Sequence, residues 1–480
     1  MIHADPPPAT RPGVGAPTAR TDRGRRVWSR SDRGRRVWQR LDQSGGGLHV
    51  DLGLYALSAI FAAVTAATST LLPHRAWGAV ATVGYLAAAL AVGGQLLARR
   101  ADPAAPLAGT AARAWLTVLT WTTTALLPLV VQSGQRAAGR TDRAQEEVTV
   151  IEQAGIRLLD TGTPYLGRDQ IAALPAGEQL LGYTPYQPGM ALFGLPRAVG
   201  TAWWTDARLM FALVTAVALA VAVAVLRRSP VGVVDGPGTP AGPGTGASPA
   251  TGPVLLRAVQ AATVLPVCAL TLATGGDDLP VLALCLLALA LAAAGRPGAA
   301  GAAVGLAAAL KLLAWPVALV LLAWAVTRGR RDGLRLAVGA VGLPVAALVP
   351  VHLVDSSALV ENVLRFPLGQ GLVSSPAASP FPGYLIAQTL PAGRTVAAAA
   401  LVVAGLVIAV RLVRRPPRTA AAGALICGYG LLAAILLMPA TRFGYLLYPV
   451  AFLLWAPALA PARQAPERPR VGRPVARSGG

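Results

Sequence analysis

Residues 207–228 read ARLMFALVTAVALAVAVAVLRR, an apolar run closed by a pair of arginines. A helix rises about 1.5 Å per residue, so about twenty such residues cross a hydrocarbon core of about 30 Å. A helix on a soluble core would show a polar residue every third or fourth position, and this run does not. Leu52–Leu72, Trp77–Ala98 and Val254–Ala273 read the same way. Working outward from 207–226, spans are expected at 52–72, 77–98, 114–131, 254–273, 279–295, 334–353, 396–413, 420–437 and 443–460. Segment 297–327 lies between Arg296 and Arg328 and should go out and return, as two short helices meeting near Lys311–Pro316. The expected fold is an all-α polytopic membrane protein of about 12 transmembrane helices (about 10 to 13). Composition agrees: 54% of the 480 residues are hydrophobic and 13% charged, where a soluble domain carries about 25% charged residues.

The net charge of +21 invites a nucleic-acid reading. Most of the arginines, however, fall in segments that helix parity places on one side: Arg99, Arg100 and Arg113, then Arg227 and Arg228, Arg328, Arg330, Arg331 and Arg335, then Arg411, Arg414, Arg415 and Arg418. That is the positive-inside pattern, and it needs no nucleic acid. It places both termini in the cytoplasm and the polar stretch 132–206 outside the cell membrane. Within that stretch Pro188–Gly200 is apolar but short, and reads as re-entrant or interfacial. Residues 1–49 read as a disordered basic cytoplasmic tail containing the tandem repeat TDRGRRVWSR–SDRGRRVWQR. Its Trp28 and Trp38 suit an anionic leaflet, although a local duplication in a solvated tail explains it as well. Residues 229–253 read as a flexible Gly/Pro linker and 461–480 as a second basic tail. The first apolar run lacks a cleavage-like end and is expected to be an uncleaved anchor. Cys268, Cys285 and Cys427 fall inside spans, as small apolar packers. His3, His49, His74 and His352 have no metal-ligand spacing, so no metal is assigned; no Walker loop or dinucleotide fingerprint is present.

Ionisable groups left at or outside the membrane mark the candidate chemistry. In QEEVTVIEQAGIRLLDTGTPYL (145–166), Val148, Ile151, Gly155, Leu158 and Leu159 recur at helical spacing. Glu147–Asp160 is therefore expected to be an amphipathic helix on the outer surface. Glu146 and Glu147 sit in its first turn, where acids suit the helix dipole and where one of them could also act as a base. Lys311, in GAAVGLAAALKLLAWP (301–316), is the chain's one lysine. A compact ammonium can hold a phosphate, or it can be paired internally with Asp277 or Asp278. Arg365, in ENVLRFPLGQG (361–371), and Arg442, in MPATRFGYLLYP (438–449), are outside cations suited to a lipid phosphate. Asp277-Asp278 reads first as a cap for the helix ahead of Pro280, and second as a cation or sugar-hydroxyl site.

These features together resemble the GT-C class of integral-membrane glycosyltransferases, and especially glycosyltransferase family 87, which uses polyprenyl-phosphate-mannose. The family carries an acid at the start of the first large outside loop, and a helix ending in a Leu-Leu-x-Gly phrase before a Tyr. Here Glu147 stands before Leu158-Leu159-Asp160-Thr161-Gly162-Thr163-Pro164-Tyr165. The family's Tyr-Pro-Pro-like motif is matched by Tyr186-Gln187-Pro188, and its Gly-Leu-Ala run ending in Lys by Gly305-Leu306-Ala307 and Lys311. Two departures stand out: Glu147 replaces the usual Asp, and Gln187 is interposed before the Pro. The resemblance implies transfer of a sugar, mannose in the first instance, from a polyprenyl phosphate to a glycan, glycolipid or protein acceptor on the outer face. Glu147 would be the general base. Lys311, Arg365 and Arg442 would meet the lipid phosphate, and Glu146, Tyr165, Tyr186, Asp277 and Asp278 would line sugar or acceptor. No cofactor is implied. The competing expectation is a transporter or lipid flippase without covalent chemistry, whose halves would show inverted repeats.

Overall fold

The computed structural model describes residues 44–228 and 252–460. The tandem repeat, most of the linker and the C-terminal tail lie outside the described residues. Within them the regular structure is helical, apart from one isolated bridge between Ala378 and Thr441. The principal helices are α1 (Leu48–Thr68), α2 (Leu72–Ala101), α3 (Thr110–Ala137, with a π-turn at Thr122–Leu126), α4 (Glu146–Thr161), α5 (Ala207–Arg228), α6 (Gly252–Thr263), α7 (Pro266–Thr274), α8 (Asp278–Ala293), α9 (Pro297–Leu310), α10 (Trp315–Arg328), α11 (Arg330–Val354), α12 (Gly393–Arg414), α13 (Ala420–Leu437) and α14 (Leu447–Trp455).

Seven helices among the described residues are long and apolar enough to cross a membrane, and the pair α6–α7, bent by 42°, makes an eighth if it is one span. The protein is a multi-pass membrane protein. The expected twelve is not reached by length. Helices stand at the remaining four expected positions (α8, α9, α10 and the stretch Phe443–Trp455), but each is 17 residues or shorter, under the length of a comfortable crossing. The reason lies in their packing. Along α8 nearly every side chain from Asp278 to Ala292 is buried in protein, so this helix meets neighbours more than solvent or lipid. By contrast α12 turns Val402, Val403, Leu406 and Val413 outward, as a lipid-facing helix does.

Small residues let the central helices approach closely. A Cβ on Gly301 would fall 2.2 Å from the Leu336 carbonyl oxygen, and one on Gly305 only 2.0 Å from that of Gly339. The Gly301-x-x-x-Gly305 face of α9 therefore seats directly on the backbone of α11, the small-residue contact that holds helices together where no hydrophobic effect drives association.

Outside this bundle, α4 begins and ends within a residue of expectation, with Gly162 at φ 76 closing it. Its inner face is Val148, Val150, Ile151, Ala154 and Gly155, while Leu159 is exposed. One polar residue, Glu152, is buried on that face. The stretch Pro188–Val199 folds as tight 3-10 turns against α4, with Gly194 and Gly155 in backbone contact. The three cysteines are buried and free.

Candidate active site

Five segments distant in sequence deliver polar side chains to the same end of the bundle. The first is the turn between α7 and α8. Gly276 adopts φ 88 there, a conformation that favours glycine, and the chain reverses to present Asp277 and Asp278. The second is the break between α9 and α10. Lys311 is extended (φ −152, ψ 141), so α9 stops at Leu310. The Leu310 carbonyl, freed by that stop, accepts from the Gln187 N–H at 3.1 Å. Lys311 is only 8% exposed. Its Nζ donates to Asp277 Oδ2 at 2.7 Å and to Asp278 Oδ1 at 2.6 Å.

The capping expected of Asp277-Asp278 is not what forms. Asp277 occupies the N-cap position, yet its side chain accepts no bond from the helix amides; both carboxylates turn to Lys311 instead. A buried ammonium needs counter-charge more than a helix start needs one further acceptor. The internal pairing of Lys311 with Asp277 or Asp278, the alternative to phosphate binding, is thus present with both acids.

Tyrosines enclose this triad. Tyr448, on α14, donates its hydroxyl to Asp278 Oδ1 at 2.8 Å. Lys311 Nζ lies 5.4 Å from the ring centre of Tyr186 and 5.5 Å from that of Tyr445, within range for the ring faces to attract the cation. Tyr186 is held in turn by Tyr165, whose hydroxyl donates to the Tyr186 carbonyl at 2.7 Å. Tyr165 is buried against Val351, Ala358 and Val363. It braces the loop and does not face the triad.

Beside the triad is the ion pair of Glu147 with Arg442. Glu147 stands in the first turn of α4, whose start is tied down by Gln145: its N–H donates to the Thr274 carbonyl at 2.9 Å, and its side chain meets His74 Nε2 at 2.7 Å. Arg442 is fixed by its neighbour Thr441, which exchanges backbone hydrogen bonds with Ala377 (3.1 Å) and Ser379 (2.9 Å). The Glu147 side chain is 16% exposed and that of Arg442 36%, so the pair lies at the rim and the lysine triad deeper. Glu146, next to Glu147, is exposed.

Arg365 is not brought to these residues. It is 54% exposed and pairs at 3.6 Å with Glu361, one turn earlier on its own helix. Glu361 also accepts from Arg168 and from the Tyr183 hydroxyl, each at 2.9 Å. The cations that the fold brings to this site are therefore Lys311 and Arg442.

A second network, unread in the sequence, supports the first. Arg208, fully buried at the head of α5, donates to both oxygens of Asp206 at 2.8 Å and to the Ala273 carbonyl at 3.0 Å. Arg136, on α3, joins Asp206 (3.0 Å) to Glu152 (2.7 Å). Burial raises the Asp206 pKa, but the hydrogen bond and charge of Arg208, with Arg136 behind it, override that and hold the carboxyl down at about 2. Because Ala273 adjoins the Thr274 carbonyl that anchors Gln145, this network sets where α4 begins. His74, Tyr445 and Tyr448 are the other residues at the site that sequence reasoning passed over.

The assembly sets an acid and two cations at one end of short buried helices. Residues 183–439 match the sequence model of glycosyltransferase family 87. The chain belongs to that family. No curated protein and no solved structure matches it. The family 87 match contains Tyr186, Asp277, Asp278, Lys311 and Arg365 but stops short of Glu147 and Arg442; the fold joins those two to the matched residues. Membership makes the protein a glycosyltransferase, and the flippase reading gives way to it.

Proposed function

We propose that this family 87 glycosyltransferase moves a sugar, mannose in the first instance, from a polyprenyl phosphate to a hydroxyl of a glycan, glycolipid or protein acceptor on the outer face of the cell membrane. The observation that carries the reading is the Glu147–Arg442 pair standing at the rim beside the Lys311 triad. In one place it supplies a base, a phosphate-binding cation and a deeper fixed charge.

The reaction forms a bond between the acceptor oxygen and the anomeric carbon and breaks the bond from that carbon to the phosphate oxygen. Glu147 takes the acceptor's proton as the new bond forms. Single displacement of this kind inverts the anomeric configuration. The electron pair leaves with the lipid phosphate, whose added charge Arg442 meets. With all groups ionised, Glu147, Asp277 and Asp278 outnumber Lys311 and Arg442, so the resting site carries excess negative charge. An incoming phosphate therefore has to draw Arg442 away from Glu147, and doing so leaves the carboxylate free to act as base. Lys311, held by two acids and two tyrosine rings, fixes both carboxylates in place and positions the donor.

Orientation is supported by the arginines. Those at the ends of α2, α5, α10 and α12 lie at the end of the bundle away from Glu147, and the positive-inside rule puts that end in the cytoplasm. The test is transfer by purified protein in lipid, using radiolabelled polyprenyl-phosphate-mannose, a membrane-extract acceptor pool and Glu147→Gln in parallel. Label reaching a new product with wild type alone supports donor class and base together. Equal turnover by Glu147→Gln would remove Glu147 from the mechanism, and label that never leaves the carrier would remove this donor.

A further inference from the structure

At the end of the bundle away from Glu147, a cavity of about 280 Å³ lies between α5 and the turn joining α8 to α9. Its walls are Val221, Ala224, Val225, Arg228 and Arg296. The first four follow i, i+3, i+4, i+7 spacing, so they form one stripe of α5: three apolar side chains leading to a guanidinium at the helix end. The opposite stripe, with Leu219, Ala222 and Leu226, is buried in the bundle. Arg296 arrives from the other wall by a defined turn. Gly295 adopts φ 70 and its N–H donates to the Ala292 carbonyl, the Arg296 N–H donates to that of Leu291, and Pro297 then opens α9.

Among the described residues neither guanidinium has a carboxylate or a hydrogen-bond partner. The neighbouring Arg328 differs: it is matched by Asp332 at 3.7 Å and lies over the Trp324 ring at 5.3 Å. Single arginines at helix ends need no ligand, since they anchor orientation and reach into the headgroups. Here two cations without a described partner, one at the end of α5 and one in the turn before α9, converge on one cavity whose remaining wall is apolar. The 22 residues of α5 put Arg228, at one end of that cavity, about 33 Å from the opposite end of the helix and so at headgroup depth.

We propose that this cavity is a binding site for an anionic phospholipid of the adjoining leaflet. The phosphodiester sits between Arg228 and Arg296, and an acyl chain lies along Val221, Ala224 and Val225. Two guanidinium forks suit phosphate oxygens, and an anionic headgroup supplies the counter-charge that no described residue provides there. The inference stands apart from the reaction and its residues.

Native mass spectrometry of the full chain in detergent tests it, with phosphatidylglycerol or phosphatidylcholine of identical acyl chains as the probe. Wild type is expected to retain phosphatidylglycerol about 10-fold more strongly, and Arg228→Gln/Arg296→Gln to lose that preference. Both side chains are exposed, so the double variant should fold as wild type does. Arg414→Gln/Arg415→Gln, an equal loss of charge elsewhere on the same face, is expected to leave the preference intact. Equal retention of the two lipids by wild type would overturn the proposal. So would an unchanged preference in Arg228→Gln/Arg296→Gln, or an equal loss in the Arg414/Arg415 control, which would mean bulk attraction and no site.

Discussion

Glu147 and Arg442 lie 295 residues apart in sequence and form one ion pair at the rim of the site. If phosphate arrival is what separates them, the two residues fail differently. Glu147→Gln is expected to cut transfer by about 10²- to 10⁴-fold, the usual contribution of a positioned base, with donor binding retained. Arg442→Gln should raise the KM for the lipid donor as well as lowering kcat, and Arg442→Lys should recover part of both. Steady-state kinetics in proteoliposomes separates these outcomes; identical profiles for the two variants would argue against the exchange.

Within the triad, Lys311 offsets two buried acids, so its loss should be the costliest single change. Lys311→Met leaves Asp277 and Asp278 facing each other without a cation, and about 3–5 kcal/mol of destabilisation is expected from breaking such a buried pair. Asp277→Asn leaves Lys311 its bond to Asp278 and should cost less. Thermal unfolding followed by tryptophan fluorescence ranks them, and a Lys311→Met protein as stable as wild type would contradict the pairing.

The contact of α9 with α11 predicts a sharp positional contrast. Gly305→Leu drives a side chain into the Gly339 carbonyl, an overpacking that costs about 1–3 kcal/mol or more, and folded yield should fall. Gly342→Leu, on the same α11 but with open space around its Cβ position, should express normally. Size-exclusion profiles of the two, run side by side, are the measurement.

The network at Asp206 makes a pH prediction. Its folded pKa, about 2, lies below the ordinary 3.8, so the stabilisation is fully present above about pH 4 and is lost as pH falls toward 2. A shift of this size corresponds to about 2 kcal/mol. Between neutrality and about pH 4 this group should leave stability unchanged, and wild type should weaken more steeply below that than Asp206→Asn. The variant starts lower, because Arg208 loses its main buried partner. Parallel acid-melting curves would refute the assignment.

Helix positions could be read from the sequence because apolar runs and arginine clusters are local signals, and α4 ends within a residue of where its periodicity ends. Pairing across long separations is legible only where the chemistry forces it: the one lysine, set in an apolar hairpin, needs counter-charge, and Asp277 or Asp278 offers it, whereas nothing near Glu147 announces Arg442. Arg365 was legible in principle: Glu361, four residues before it, opens the same ENVLRFPLGQG phrase, and the i,i+4 pair explains an arginine that otherwise looked unmatched. Tyr445 and Tyr448 carried a weaker signal, at three and six residues after Arg442, one helical face beside a cation. Burial of Arg208 and Glu152 had no local signature, since each sits in a stretch that reads well without it.

Thr441 carries a mechanical consequence. Its backbone is stitched to Ala377 and Ser379, and the Phe443 N–H donates to the Ser379 hydroxyl at 2.9 Å. The backbone of Arg442 therefore rides on the same short seam as the 377–381 segment, and only its side chain is left to swing. If Arg442 masks Glu147 as proposed, a large substrate leaning on that segment would also shift the arginine, and docking and unmasking of the acid would behave as one geared movement.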